Sequence, residues 1–324
     1  QRHFLGVIDE VIARVQKIER GLLWSGAGIA VLIGTNNDAQ TRSWVAGFQQ
    51  GLDRLGWHDG RNVVVDYRFT EGVFERIAAL ARELVALQPD VILSQGTAIT
   101  AAFRRETQTI PIVFLTVSDP IGSGYVASLS RPGGNLTGLL MHEGGIAGKW
   151  LGMLKEVAPQ TARVALLASP ATAYDYFVKA AIDAAPSVGV ELVPFQARNA
   201  DDIRSLLEGF ARQPNGGLML PPDNTTLSNR DLVVSLAAQH RLPAVYALRT
   251  FVVAGGLMSY GTDNVAMYRN AAFYIDRILK GTRPADLPVQ APTRYETIIN
   301  QKTANALGLT VPSAMLIAAD EVID

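Results

Sequence analysis

The chain has 324 residues and no cysteine. Disulfides, thiolate metal centres and cysteine nucleophiles are therefore excluded, and the absence leaves the compartment open. Histidine is scarce. His3, His58, His142 and His240 are scattered, with no HExxH or HxH pair, so no metal site is expected. Neither sign of charge is in excess: 29 Lys and Arg face 30 Asp and Glu, a net charge of −1. That balance gives no general attraction to nucleic acid or to a lipid surface. No apolar stretch reaches the roughly 20 residues that a membrane span needs. The longest candidate, Leu22 to Gly34 behind Lys17 and Arg20, reads either as the remnant of a signal sequence or as the first buried strand at Ile29–Ile33. The turn-type residues that follow directly favour the strand. GxSxG, Walker A and EF-hand strings are also missing.

What is present is apolar: 48% of the residues are hydrophobic and 18% charged, enough for a large core and about two domains. From residue 29 onward, short Val/Ile/Leu runs alternate with helical periods. Strands are predicted at Ile29–Ile33, Val63–Tyr67, Val91–Leu93 and Ile112–Val117, each leading into or out of an amphipathic helix. Strands without alternation suit a parallel sheet buried on both faces. The segment 118–138, rich in Gly, Pro, Ser and Asn, interrupts the pattern. A second series follows, with strands at Val164–Ala168, Val190–Pro194, Gly217–Leu220 and Ala244–Tyr246, and Asn199 is read as the cap of one of its helices. Two such series imply two α/β lobes with parallel sheets. The expected division is an amphipathic helical extension over 1–28, one lobe over 29–118 plus 257–281, and the other over 119–256 plus 290–324.

Ligands of open parallel sheets bind beyond the carboxyl ends of the strands, so the residues just after each strand are the candidates. In the first series these are Thr35 and Asn36, then Ser94, Gln95, Gly96 and Thr97, then Thr116, Ser118 and Asp119. In the second they are Ser169 and Thr172, then Asp223 and Asn224. The Ser94–Thr97 string is either an anion cradle at a helix start or an ordinary cap with a glycine turn. Asp223 either holds a ligand amino group or closes an Asx turn. Tyr174, Tyr246 and Tyr260 either wall a cleft or pack a core. Gly122-x-Gly124-x-x-Ala127 matches the loose dinucleotide pattern weakly, since it lies after the fourth strand instead of the first and behind Pro120.

Several longer strings carry a resemblance. They are Phe48-Gln-Gln-Gly-Leu52, Gly60-Arg-Asn62, Pro111-Ile-Val-Phe114, Asp119-Pro120, the run Leu129-Ser-Arg-Pro-Gly-Gly-Asn-Leu-Thr-Gly138, Gly255-Gly-Leu-Met-Ser-Tyr-Gly261, Ile278-Leu-Lys-Gly281 and Asn305-Ala-Leu-Gly-Leu309. From about Gly28 to the C-terminus the chain resembles ABC-transporter substrate-binding proteins of the branch with tryptophan- and tyrosine-binding members. The resemblance implies a type I periplasmic-binding-protein fold: two Rossmann-like lobes joined by a three-strand hinge, with the ligand between them. It also implies a permease and an ATPase as partners, a periplasmic location, no cofactor and no catalysis. In the family pattern Thr97 and its neighbours would meet a ligand carboxylate and Asp223 its amino group. The readings set against it are a ligand-sensing module of a signalling protein and an NAD-dependent oxidoreductase using the Gly122 loop. A helix-turn-helix repressor is disfavoured, since residues 1–28 hold no such motif.

Overall fold

The computed structural model describes residues 26–142, 145–170, 174–292 and 295–324, apart from the side chain of Tyr174. The expected N-terminal helix therefore lies outside the described residues. The described residues form two compact units, one comprising residues 26–140 and 264–290, the other lying within 141–263 and 291–324.

Unit 1 is built on β1 (Ala27–Ile33), β2 (Val63–Phe69), β3 (Val91–Gln95), β4 (Ile112–Leu115) and β5 (Leu136–Leu139), in the order β2-β1-β3-β4-β5 and all parallel. The central strands are continuous apolar runs because both of their faces are covered. Helices α1 (Ala39–Arg54), α2 (Ile77–Ala86) and α3 (Thr97–Glu106) are the crossovers that parallel pairing requires. One face buries Leu32, Ile92, Phe114, Leu84, Ile99 and Phe103 in a common cluster.

Unit 2 repeats the plan. Its strands β6 (Arg163–Ala168), β7 (Glu191–Gln196), β8 (Gly216–Leu220), β9 (Ala244–Tyr246) and β10 (Met258–Gly261) run β7-β6-β8-β9-β10, the same order of first to fifth strand as in unit 1. They are joined through α4 (Ile146–Val157), α5 (Tyr174–Val188), α6 (Ala200–Phe210), α7 (Asn224–Ser228), α8 (Arg230–Gln239) and α9 (Arg249–Val253). Asn199 caps α6 by accepting from the Asp202 amide at 2.9 Å, and the Asp202 carboxylate accepts from the Arg198 amide in return. The sheet is extended by antiparallel β11 (Glu296–Asn300) and by β12 (Glu321–Ile323), with α11 (Gln301–Leu307) and α12 (Ser313–Ala318) between them.

The unit boundaries differ from those expected. Residues 119–140 belong to unit 1, because β5 pairs with β4. Its sequence, Leu-Thr-Gly-Leu, begins at the end of the Gly-rich stretch that interrupts the strand pattern. Gly138 is there because a Cβ would stand 2.0 Å from the Phe114 carbonyl oxygen, so two backbones touch. Residues 257–263 belong to unit 2, since β10 pairs with β9 and β11. Helix α10 (Asn264–Leu279) returns to unit 1, where it packs along α1. The chain thus passes between the units at residues 140/141, 263/264 and 290/291.

Candidate functional site

The strand order places the first and third strands of each series side by side, with their following helices leaving in opposite directions. That is the switch point at which open α/β sheets bind ligands. In unit 1 it lies between β1 and β3, and in unit 2 between β6 and β8.

At the unit 1 switch point a side chain ties the two strand ends together. Gln95 is buried, and its Oε1 accepts from the Gly34 amide at 2.8 Å. Ser94 is fully buried against the Thr100 hydroxyl, 2.8 Å away, and Thr35 is buried against the Thr41 hydroxyl at 3.0 Å. These three side chains shape the edge from below. Asn36 and Thr97 are half-buried at the edge itself. Gly96, at φ +100°, turns the chain into α3 through a region that side chains avoid. No side chain caps α3 and its first turn carries no acid, whereas Arg104 and Arg105 lie in its last turn. The positive end of the helix is thus directed at the switch point with nothing anionic on it. By contrast α1 is capped by Asp38. Beyond β4, Thr116 takes a left-handed φ of +57°, and Ser118 and Asp119 are half-buried. Asp119 accepts from the Gly122 amide at 2.7 Å, so the Gly122 loop is a turn folded over a carboxylate. A phosphate would be repelled there.

Unit 2 has a matching tie. Asp223 is buried and accepts from the Ser169 hydroxyl at 2.5 Å and amide at 3.1 Å, and from the Thr226 amide at 2.7 Å. It therefore joins β8 to β6 and caps α7. Asn224 beside it is half-buried. Thr172 lies outside the described residues, as does the side chain of Tyr174 at the start of α5. Tyr246 is fully buried in unit 2, its ring stacked on Phe251 at 4.7 Å, and burial pushes its hydroxyl pKa up. It is a core residue here, because only alternate residues of β9 face each side of the sheet.

Sequence reasoning overlooked an aromatic tier at the same edge of unit 2. Tyr260, near the end of β10, stacks on Tyr295, just before β11, at 5.1 Å and 15°. Tyr295 stacks on His142 at 6.2 Å and 13°, and Trp150 meets His142 edge-on at 5.2 Å. The Trp150 indole N–H donates to the Tyr260 carbonyl at 2.7 Å, and the Lys149 ammonium lies 5.7 Å from the Tyr260 ring centre. The only forward signal was Tyr260, since Tyr295 and His142 are brought to it by the antiparallel return of β11 and by the crossing at residue 141.

A groove of about 850 Å³ in unit 1 opens at the other edge of the sheet, beside Ala27, Asn62, Asp90 and Pro111, where strands begin. The position argues against it as the principal site.

Two doubly wound units with polar carboxyl edges, linked by three chain passages, are the plan of a solute-binding receptor of the type I periplasmic-binding-protein fold. The chain belongs to the ABC transporter substrate binding protein family, whose model matches residues 28–323. It is similar to a conserved domain protein from Vibrio cholerae, with a TM-score of 0.86 and 28% identity over 92% of this chain and 100% of that one. The same values relate it to an ABC domain from Streptococcus pneumonia solved in complex with L-Trp. A tyrosine-binding protein of Clostridioides difficile is 25% identical over 269 residues, 83% of this chain and 77% of that one. The chain is accordingly a substrate-binding receptor of an ABC transporter.

Proposed function

We propose that the solute is an amino acid with an aromatic side chain, received in the periplasm and handed to a permease driven by its ATPase. The observation that carries this reading is the uncapped start of α3 at the unit 1 switch point, which suits a solute carboxylate. The relatives that hold L-Trp and tyrosine supply the side-chain class. At the unit 1 edge, Thr97 and Asn36 with the Gly96 turn meet the carboxylate, while Thr116 and Ser118 border it and Asp119, whose charge would repel it, closes its own turn on the Gly122 amide. At the unit 2 edge, Asp223 receives the ammonium group while Ser169 and Asn224 position it. This work is binding and release, and it calls for no catalytic group and no cofactor.

Calorimetry of the purified chain with L-tryptophan, L-tyrosine and L-phenylalanine, with NAD and a hexose as controls, tests the reading. Micromolar affinity for at least one of the three, a free energy of about 8 kcal/mol, is expected. Heat with NAD or the hexose alone refutes it. Asp223→Asn keeps an oxygen for the α7 cap but removes the charge, and should weaken amino-acid binding by about tenfold or more. Unchanged affinity in that variant removes Asp223 from the role of ammonium partner.

A further inference from the structure

His142 is the first described residue of unit 2 but one, and it is only 4% exposed. Among the described residues neither ring nitrogen, Nδ1 or Nε2, has a hydrogen-bond partner. A buried imidazole with both nitrogens unengaged is uncommon, because each polar atom has given up water for nothing. Its neighbours explain its position but not its chemistry. One ring face lies parallel to Tyr295, the edge of Trp150 closes another side, and the Trp150 N–H is already spent on the Tyr260 carbonyl. Phenylalanine would fill such a place without the polar cost.

The imidazole also stands at the carboxyl edge of the sheet. A Cβ added to Gly261, the last residue of β10, would come within 3.6 Å of His142 Cε1. The preceding residue, Met141, accepts through its carbonyl from the Thr262 hydroxyl at 3.4 Å, just beyond the end of β10. The imidazole therefore ends a ladder of three near-parallel rings, Tyr260, Tyr295 and His142, at the carboxyl edge of the sheet, two strands along from β8 and the switch point. Burial keeps it neutral, so it offers one N–H donor and one bare nitrogen acceptor. A phenol hydroxyl can use both, and an indole N–H can use the acceptor. A plain phenyl ring can use neither.

We propose that His142 is a specificity determinant that reads the polar hydrogen on the solute's ring, a phenol O–H or an indole N–H. The inference rests on the amino-acid reading given above and adds which aromatic amino acids the site prefers and why. When the solute is absent the imidazole carries an unmet hydrogen-bonding capacity, and the correct ring relieves it on binding. Phenylalanine leaves that capacity unmet and is discriminated against, as sites built to bond a ring hydroxyl discriminate against the analogue that lacks it.

The full chain is titrated calorimetrically with L-tyrosine, L-tryptophan and L-phenylalanine. The wild type is expected to bind tyrosine or tryptophan at least about tenfold more tightly than phenylalanine. His142→Phe should lose about tenfold for the polar-ring amino acids and less than about threefold for phenylalanine, and His142→Gln, with a donor and an acceptor, should recover part of the preference. Equal losses for all three, or no loss in a folded variant, overturn the proposal. A second measurement needs no variant: the ring nitrogens of ¹⁵N-labelled His142 should shift when the preferred amino acid is added, and unmoved resonances at saturation overturn it as well. A wild type that binds all three with equal affinity refutes this inference alone. A wild type that binds none of them refutes the amino-acid reading and takes this inference with it.

Discussion

Acid should destabilise the protein through His142 in a way that can be isolated. Burial pushes the pKa of the imidazole down to about 3 from the ordinary 6.5. Above pH 6.5 the side chain is neutral in the folded and unfolded chain alike, and it contributes nothing to the pH dependence. As the pH falls below 6.5, the unfolded chain takes up a proton that the folded chain refuses until about pH 3. Stability is therefore lost on acidification, by about 1.36 kcal/mol for each pH unit in that window. At pH 4.5 the loss from this group is about 2.7 kcal/mol relative to pH 7. For a body the size of unit 2 that corresponds to roughly 5–10 °C in melting temperature. His142→Phe removes the titration and keeps a ring for Tyr295 to stack on. Melting curves of both proteins at pH 7, 5.5 and 4.5, followed by near-ultraviolet circular dichroism, give the difference directly, because every other titrating group cancels. The wild type should lose stability faster than the variant between about pH 6.5 and 4.5. Parallel profiles would show that the folded chain protonates His142 freely, and would refute both its burial and its neutrality.

Two further outcomes follow from the backbone. Gly138→Ala forces a Cβ to 2.0 Å from the Phe114 carbonyl oxygen, so β5 must part from β4, and urea denaturation should show a loss of about 3 kcal/mol or more. Asn199→Ala removes the cap of α6 and should cost about 1 kcal/mol by the same assay, with solute affinity unchanged.

The central strands were readable because burial on both faces leaves little but Val, Ile and Leu in them, and the helices because their apolar residues recur on one face. What the sequence hides is which sheet a strand joins. β10 and α10 are adjacent in the chain yet belong to different units, and the pairing of β10 with β9 and β11 reveals it. β5 was hidden by its own glycine, which looks like a loop residue and is instead a steric necessity. Among the site residues, position after a strand was enough to find Gln95, Ser169 and Asp223, but not to distinguish a tie within the fold from a group offered to a solute. Asp223 serves the fold through Ser169 and Thr226 in any case, so its charge has to be tested apart from its shape. Tyr246 looked like a wall and is core, because the alternation along a three-residue strand cannot be phased from sequence. Nothing in the sequence singled out His142, since a single histidine beside an apolar run looks like packing until its nitrogens are seen to lack partners among the described residues.

The return of α10 to unit 1 has a consequence for how the chain acquires its structure. α10 lies against α1, and the Trp57 indole N–H reaches Asp276 across 219 residues of sequence at 2.9 Å. Residues 26–140 can pair their strands as they emerge from a ribosome, but the side of that sheet on which α1 lies is only partly covered until residues 264–279 have been made. The last two strands of unit 2 arrive later still. Neither body closes until its last segment, 264–290 in one and 291–324 in the other, has been made, and contacts so distant in sequence are slow to form. A chain of this design stays open until those segments emerge, and in that interval a chaperone has its longest access to it.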